Sequence, residues 1–237
     1  MTKTKKCVWV ILCPILALLL LAGAGLIVYT KLSEGQRKGA YERIFREHYN
    51  ARVALFREEN AQFEKGEVEV VFLGDSLTEG YDLATHYPQY VTVNRGIGGD
   101  TTHGVEERLQ VSVYDLEPQA VVMLIGANNM DTMMENYERI LIGLRSNLPN
   151  TKIILVSLTS MSGEWGKKNE LAKANNVKIR SLADRYGFAY VDLFNALLDP
   201  ETNEIRAEYT TDGGHQTALG YEVFTATITP VLEEALQ

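Results

Sequence analysis

Apolar positions recur along this chain in three rhythms. The first is continuous: Val8 to Tyr29 is a run of 22 residues with no charge. As a helix it would be about 33 Å long, enough for a hydrocarbon core of roughly 30 Å, and Pro14 would kink it without disqualifying it. The second is a 3–4 spacing. Tyr41, Ile44, Phe45, Tyr49, Val53 and Phe56 alternate with charged neighbours and predict an amphipathic helix over 35–65, ended by Gly66 and packed on the domain that follows. The third is a set of short β-rich runs at Val68–Leu73, Val91–Asn94, Ala120–Ile125, Lys152–Leu158 and Phe188–Leu193.

Between those runs lie helical stretches at about 101–110, 132–147, 167–186 and 217–236. VEVVFL, AVVMLI and KIILVSL are almost wholly apolar, as strands of a parallel sheet are when helices cover both faces. The alternation predicts βαβ units and a three-layer α/β domain. The chain thus divides into a basic tail and anchor over 1–30, a juxtamembrane helix over 31–66 and a catalytic-sized domain over 67–237. Ligands of such sheets bind beyond the carboxyl ends of the strands.

Charge and cysteine content narrow the picture. The net charge is −8, but Lys3, Lys5 and Lys6 are the only charged residues among the first thirty, leaving 20 basic against 31 acidic residues beyond them. Such an acidic domain, with no Lys/Arg-rich run, is no nucleic-acid partner. Cys7 and Cys13 both lie near the apolar run, so no disulfide, thiolate nucleophile or Cys-based metal site belongs to the domain. For the apolar run the expectation is a retained single-pass anchor with the domain outside the cytoplasm. The alternative is a cleaved signal peptide, for which Ala22-Gly23-Ala24 offers a site.

Four segments at predicted strand ends and near the C-terminus carry chemistry. Gly74-Asp75-Ser76-Leu77 follows the first strand, so the Ser76 hydroxyl stands at the sheet edge, either as a nucleophile or as a helix cap. Asn94 to Asp100 holds three glycines in four residues, which lets backbone N–H groups approach an oxyanion or merely forms a turn. Gly126-Ala127-Asn128-Asn129 brings a carboxamide to the same edge. In Thr211 to His215, Asp212 can turn back onto the His215 ring and leave its Nε2 as a base, or cap the last helix. Of the other histidines, His48 and His103 fall in or at helices without an acid so placed, and His86 reads as surface.

In this order, GDSLTEG, NRGIGGDTT, GANN and DGGHQTALGY resemble the SGNH (GDSL-type) hydrolase family over residues 74–221. The helix before GDSL and the N-x-G-I-G-G-D-T form are closest to the branch resembling platelet-activating-factor acetylhydrolase catalytic subunits. The resemblance implies a flavodoxin-like parallel sheet of about five strands. It also implies Ser76 as nucleophile, His215 as general base oriented by Asp212, and an oxyanion hole of Ser76, Gly99 and Asn128. One position departs from the pattern: Asn129 stands where Asp is common.

The expected activity is hydrolysis of short-chain acyl or acetyl esters of a lipid or glycan. The alternative is an inactive lipid- or glycan-binding module on the same fold. No cofactor is implied, and no metal, since H-x₃₋₅-H and H-E-x-x-H are absent. Met130, Met133 and Met134 are candidates for an acyl pocket or for the core, and Trp165 for a rim or for surface packing.

Overall fold

The computed structural model describes residues 35–237. The run Val8–Tyr29, and with it the anchor, lies outside the described residues; among those, no helix is long and apolar enough to cross a membrane. Two compact units make up the chain, Met1–Glu47 and His48–Gln237. Residues 35–47 of the first are helical.

The second unit opens on helix α1 (48–60). There follow β1 (Val70–Gly74), α2 (Ser76–Glu79), α3 (Leu83–His86), β2 (Thr92–Gly96), α4 (Thr102–Glu107) and β3 (Ala120–Leu124). Then come α5 (Met133–Asn147), β4 (Lys152–Val156), α6 (Gly163–Gly166), α7 (Asn169–Tyr186), β5 (Ala189–Val191) and α8 (Leu193–Leu197). A two-stranded hairpin of β6 (Leu198–Asp199) and β7 (Glu204–Ile205) precedes the last helix, α9 (Ala218–Leu236).

The first five strands form one parallel sheet in the order β2-β1-β3-β4-β5. Successive side chains of a strand leave on opposite faces, and here both faces are covered. Val71, Leu73, Val121, Met123, Ile153 and Leu155 enter one core with α5 and α7. Val70, Phe72, Val122, Leu124, Ile154 and Val156 enter the other with α8 and α9. That is a three-layer α/β/α sandwich. Because β1 lies between β2 and β3, the chain crosses over after β2, and the carboxyl ends of β1 and β3 flank the switch point where ligands of such sheets lodge.

Some segments depart from expectation. The stretch expected as one helix over 101–110 is α4 followed by a π-helical turn, Gln110–Tyr114. The short α2, α3, α6 and α8 were below the length at which periodicity is readable.

Within the second unit, Val53, Phe56, Ile97 and Val111 form a separate small core. Phe56 is its centre: the guanidinium carbons of Arg95, Arg52 and Arg108 stand 4.6, 5.0 and 5.8 Å from its ring centroid. An aromatic face there solvates cations that water does not reach. Phe56→Ala is therefore expected to lower the unfolding free energy by about 3–5 kcal/mol, read from the urea midpoint, and Phe56→Leu by less.

Candidate active site

Gly74 ends β1 in a crowded place. A Cβ there would lie 2.2 Å from Thr78 Oγ1 and 2.3 Å from the Leu124 carbonyl oxygen, so no side chain fits. The next residue, Asp75, takes the cap of α2: its Oδ1 accepts the Leu77 N–H at 3.1 Å. Capping thus falls to Asp75 and leaves the Ser76 hydroxyl to face His215, whose Nε2 is 3.0 Å from Oγ.

His215 is held by a local turn. Asp212 Oδ2 lies 2.7 Å from Nδ1, while Oδ1 accepts the N–H groups of His215 at 2.8 Å and Gly214 at 2.9 Å. The backbone bond from His215 first, then the ring bond, holds the Asp212 carboxyl down at about 2. It therefore stays ionised in neutral and mildly acid solution, and Nδ1 is the protonated nitrogen. Nε2 then carries the lone pair, and it points at Ser76. The last helix is capped by Thr217, which accepts the Gly220 N–H at 3.1 Å, and not by Asp212.

The glycine-rich segment makes a turn beside the serine. Asp100 N–H donates to the Ile97 carbonyl at 3.0 Å, and Gly99 between them has φ +79°, a conformation that L side chains rarely adopt. A Cβ on Gly98 would sit 3.9 Å from Ser76 Cβ. Asn128 Nδ2 donates to the Asp100 carbonyl at 2.8 Å, which joins the loop after β3 to this turn. Asn129 faces the other way and bonds Thr102, Nδ2 to Oγ1 at 2.9 Å and Oδ1 to N–H at 3.3 Å. An amide can both donate and accept there, which a carboxylate cannot.

A small cavity of about 50 Å³ opens on the serine, walled by Ser76, Leu77, Asn128, Thr159, Met161, Trp165 and His215 among others. Gly99 is not part of its wall. Neither are Met130 and Met133, which are buried in the core, nor Met134, which packs against it; Met161 is the methionine at the cavity. Trp165 is 44% exposed at the rim. His86 is half-buried rather than superficial, with Nδ1 2.8 Å from Thr225 Oγ1 and its ring 5.1 Å from that of Tyr81.

Comparison with known proteins decides the family, since residues 72–223 match the GDSL-like lipase/acylhydrolase family. The chain belongs to that family. This GDSL-like acylhydrolase is thereby a carboxylic-ester hydrolase. Its fold is similar to that of a Streptococcus pneumonia protein provisionally named as a platelet activating factor (24% identity, 84% of this chain and 99% of that one, TM-score 0.76). It is also similar to a GDSL-like lipase from Bacteroides thetaiotaomicron (25% identity, 78% and 98%, TM-score 0.70) and to an acetylxylan esterase from Geobacillus stearothermophilus (17% identity, 71% and 95%, TM-score 0.59). A search of curated proteins finds no match.

Beneath the acylhydrolase site lies a residue that pattern reading passed over. Arg108 is 2% exposed and spends its donors on four groups: Asp100 Oδ2 at 2.8 Å, the Gly74 carbonyl at 2.9 Å, Ser112 Oγ at 2.9 Å and the Arg95 carbonyl at 3.0 Å. The strand leading to Ser76, the turn carrying Gly99 and, through the Asp100 carbonyl, Asn128 are thus tied to one guanidinium. Lys cannot span that set, having no planar fork. Asp100→Ala strands the Arg108 charge and should lower stability by about 3–5 kcal/mol in urea titration. Arg108→Lys should cost less stability yet lower kcat, as the two loops lose their common tie.

Proposed function

We propose that this acylhydrolase cleaves short-chain acyl esters, acetyl esters foremost, by acyl transfer to Ser76 and then to water. The observation that carries the reading is the unbroken chain from Asp212 Oδ2 through the His215 ring to Ser76 Oγ, with gaps of 2.7 and 3.0 Å. His215 Nε2 takes the Ser76 proton as Oγ bonds to the ester carbonyl carbon. The carbonyl oxygen becomes an oxyanion, and Ser76 N–H, Gly99 N–H and the second Nδ2 hydrogen of Asn128 are its donors. The two backbone groups donate to no other group among the described residues. The imidazolium passes its proton to the departing alcohol, and a water activated by the same nitrogen then frees the acid.

The size of the cavity supports short acyl chains: about 50 Å³ holds only a few atoms beyond the carbonyl. For the alcohol part, the similarity in fold to an acetylxylan esterase and the exposed indole of Trp165 both suit an acetylated glycan. The charge-free run Val8–Tyr29 supports a membrane tether, with the enzyme facing outward toward lipid or envelope-glycan esters.

Labelling by a fluorophosphonate, lost in Ser76→Ala, tests the nucleophile; wild-type protein that is neither labelled nor active on p-nitrophenyl acetate is a binding module instead. Asn128→Ala should lower kcat on the order of 10²-fold, the usual weight of one oxyanion donor. Ser76→Ala and His215→Ala should each cost more, and the double substitution scarcely more than either. In a chain-length series, p-nitrophenyl acetate should exceed the hexanoate in kcat/KM by at least ~10-fold, the scale on which a filled pocket rejects added methylenes.

A further inference from the structure

Asp75 sits between the crowded Gly74 and the nucleophile, and the mechanism above does not use it. It is 1% exposed, and it belongs to the wall of the cavity that opens on Ser76. Its carboxyl has one protein donor: Oδ1 takes the Leu77 N–H, while Oδ2 is buried with no hydrogen-bond partner among the described residues. An ionised carboxylate presents about four acceptor sites, and burying it with a single donor is among the costlier arrangements a fold can hold.

The groups around it do not offset its burial. Arg108, the nearest guanidinium below, is engaged by Asp100, Ser112 and two carbonyls and sends no bond to Asp75. Asp100 adds a like charge from the β2 turn, and the His215 ring and Arg108 favour the ionised form less than burial opposes it. From α9, Tyr221 donates its hydroxyl hydrogen to the Leu77 carbonyl at 3.0 Å, not to the carboxyl.

We propose that Asp75 serves the esterase as an uncharged acid beside the nucleophile, and that its loss of a proton switches the enzyme off on the alkaline side. The inference rests on the Ser76 mechanism above. Ionisation releases the Asp75 proton to solvent and leaves a negative charge in a water-poor wall. A second negative charge builds on the carbonyl oxygen at the same cavity, and fixed like charges there oppose it. Burial pushes the Asp75 carboxyl up to about 7, which puts the switch in the neutral to mildly alkaline range. Burial first, and the Asp75 charge after it, also pushes the Tyr221 phenol up to about 12, so that group stays neutral throughout.

A serine–histidine pair alone gives a rate that rises with pH and then levels, because the base only needs to be neutral. An acid that must stay protonated adds a falling limb. The test is kcat/KM for p-nitrophenyl acetate, read at the isosbestic wavelength from pH 5 to 9.5. Wild type should fall by at least ~10-fold between pH 7 and 9. Asp75→Asn, which can still cap α2, should hold level over the same range. If the Asn variant does not fold, Asp75→Ser, also a capping residue, replaces it, and the wild-type profile stands as a test by itself. A wild-type profile level to pH 9, or a falling limb kept in the folded variant, overturns the proposal. Protein that is neither labelled by fluorophosphonate nor active at any pH overturns the Ser76 mechanism instead, so the two failures are distinguishable.

Discussion

A parallel sheet ends in carbonyls that no further strand satisfies, and in this enzyme the ends that matter are closed by one buried guanidinium. The Gly74 carbonyl already accepts the Ile97 N–H at 3.2 Å; Arg108 supplies its second donor. The same side chain bonds the Arg95 carbonyl near the end of β2 and the Asp100 carboxylate in the turn beyond it. With water excluded, each of these oxygens would otherwise carry the cost of an unpaired polar group. Only a planar fork with five N–H donors meets so many acceptors at once. The backbone around Ser76 is thus fixed by a charge network, and Phe56 and Glu59 of α1 extend it through Arg95.

The other half of the site is built on different principles. Asp212 and His215 are each about half exposed, and no core packs around them. Their geometry comes from a tight turn: the Thr211 N–H donates to the His215 carbonyl at 2.9 Å, and the Gly213 N–H to Thr210 Oγ1 at 2.9 Å. The Ser162 N–H donates to the Gly213 carbonyl at 2.9 Å and ties that turn to the segment holding Met161 and Trp165. Ser76, on the buried network, therefore meets an imidazole held by a surface turn and one bond from a neighbouring segment. Such an arrangement suits the slight pivot between the serine proton and the leaving alcohol that the proposed mechanism asks of the imidazole.

The sheet was legible because its strands are buried on both faces, so β1, β3 and β4 stand out as apolar runs against polar helices. The residues of the candidate site were legible for another reason: Ser76, His215 and Asn128 each lie in a short segment of distinctive composition. What stayed hidden depends on facing. Met130 and Met161 are the same residue type and both are buried in the core, and only packing brings the second to the cavity wall as well. Arg95 and Arg108 drew no reading from the sequence, since nothing in a linear pattern shows that two arginines are held inside by an aromatic ring and buried acceptors. Arg95 did offer a faint signal, as it occupies an inward position in the alternation of β2, whose burial runs half-buried, buried, half-buried, buried. Asn129 looked like a departure until Thr102 came opposite it.

Two carboxyls flank the reaction centre, and their surroundings drive them apart. Asp212 is open to solvent and receives three donors, two of them backbone N–H groups, so its charge is stabilised twice over. Asp75 is sealed from solvent and receives one. Identical side chains thus hold about 2 in one place and about 7 in the other. Divergence of that kind separates roles in acid–base sites. The ionised partner lies behind the imidazole, where a negative charge would steady the cation that proton transfer forms in the proposed mechanism. In the proposed mechanism Asp75, kept uncharged, lies on the side of Ser76, where the developing charge is negative and a neutral neighbour costs the transition state least. Charge on each side of the serine is therefore matched to the sign of what the reaction builds there.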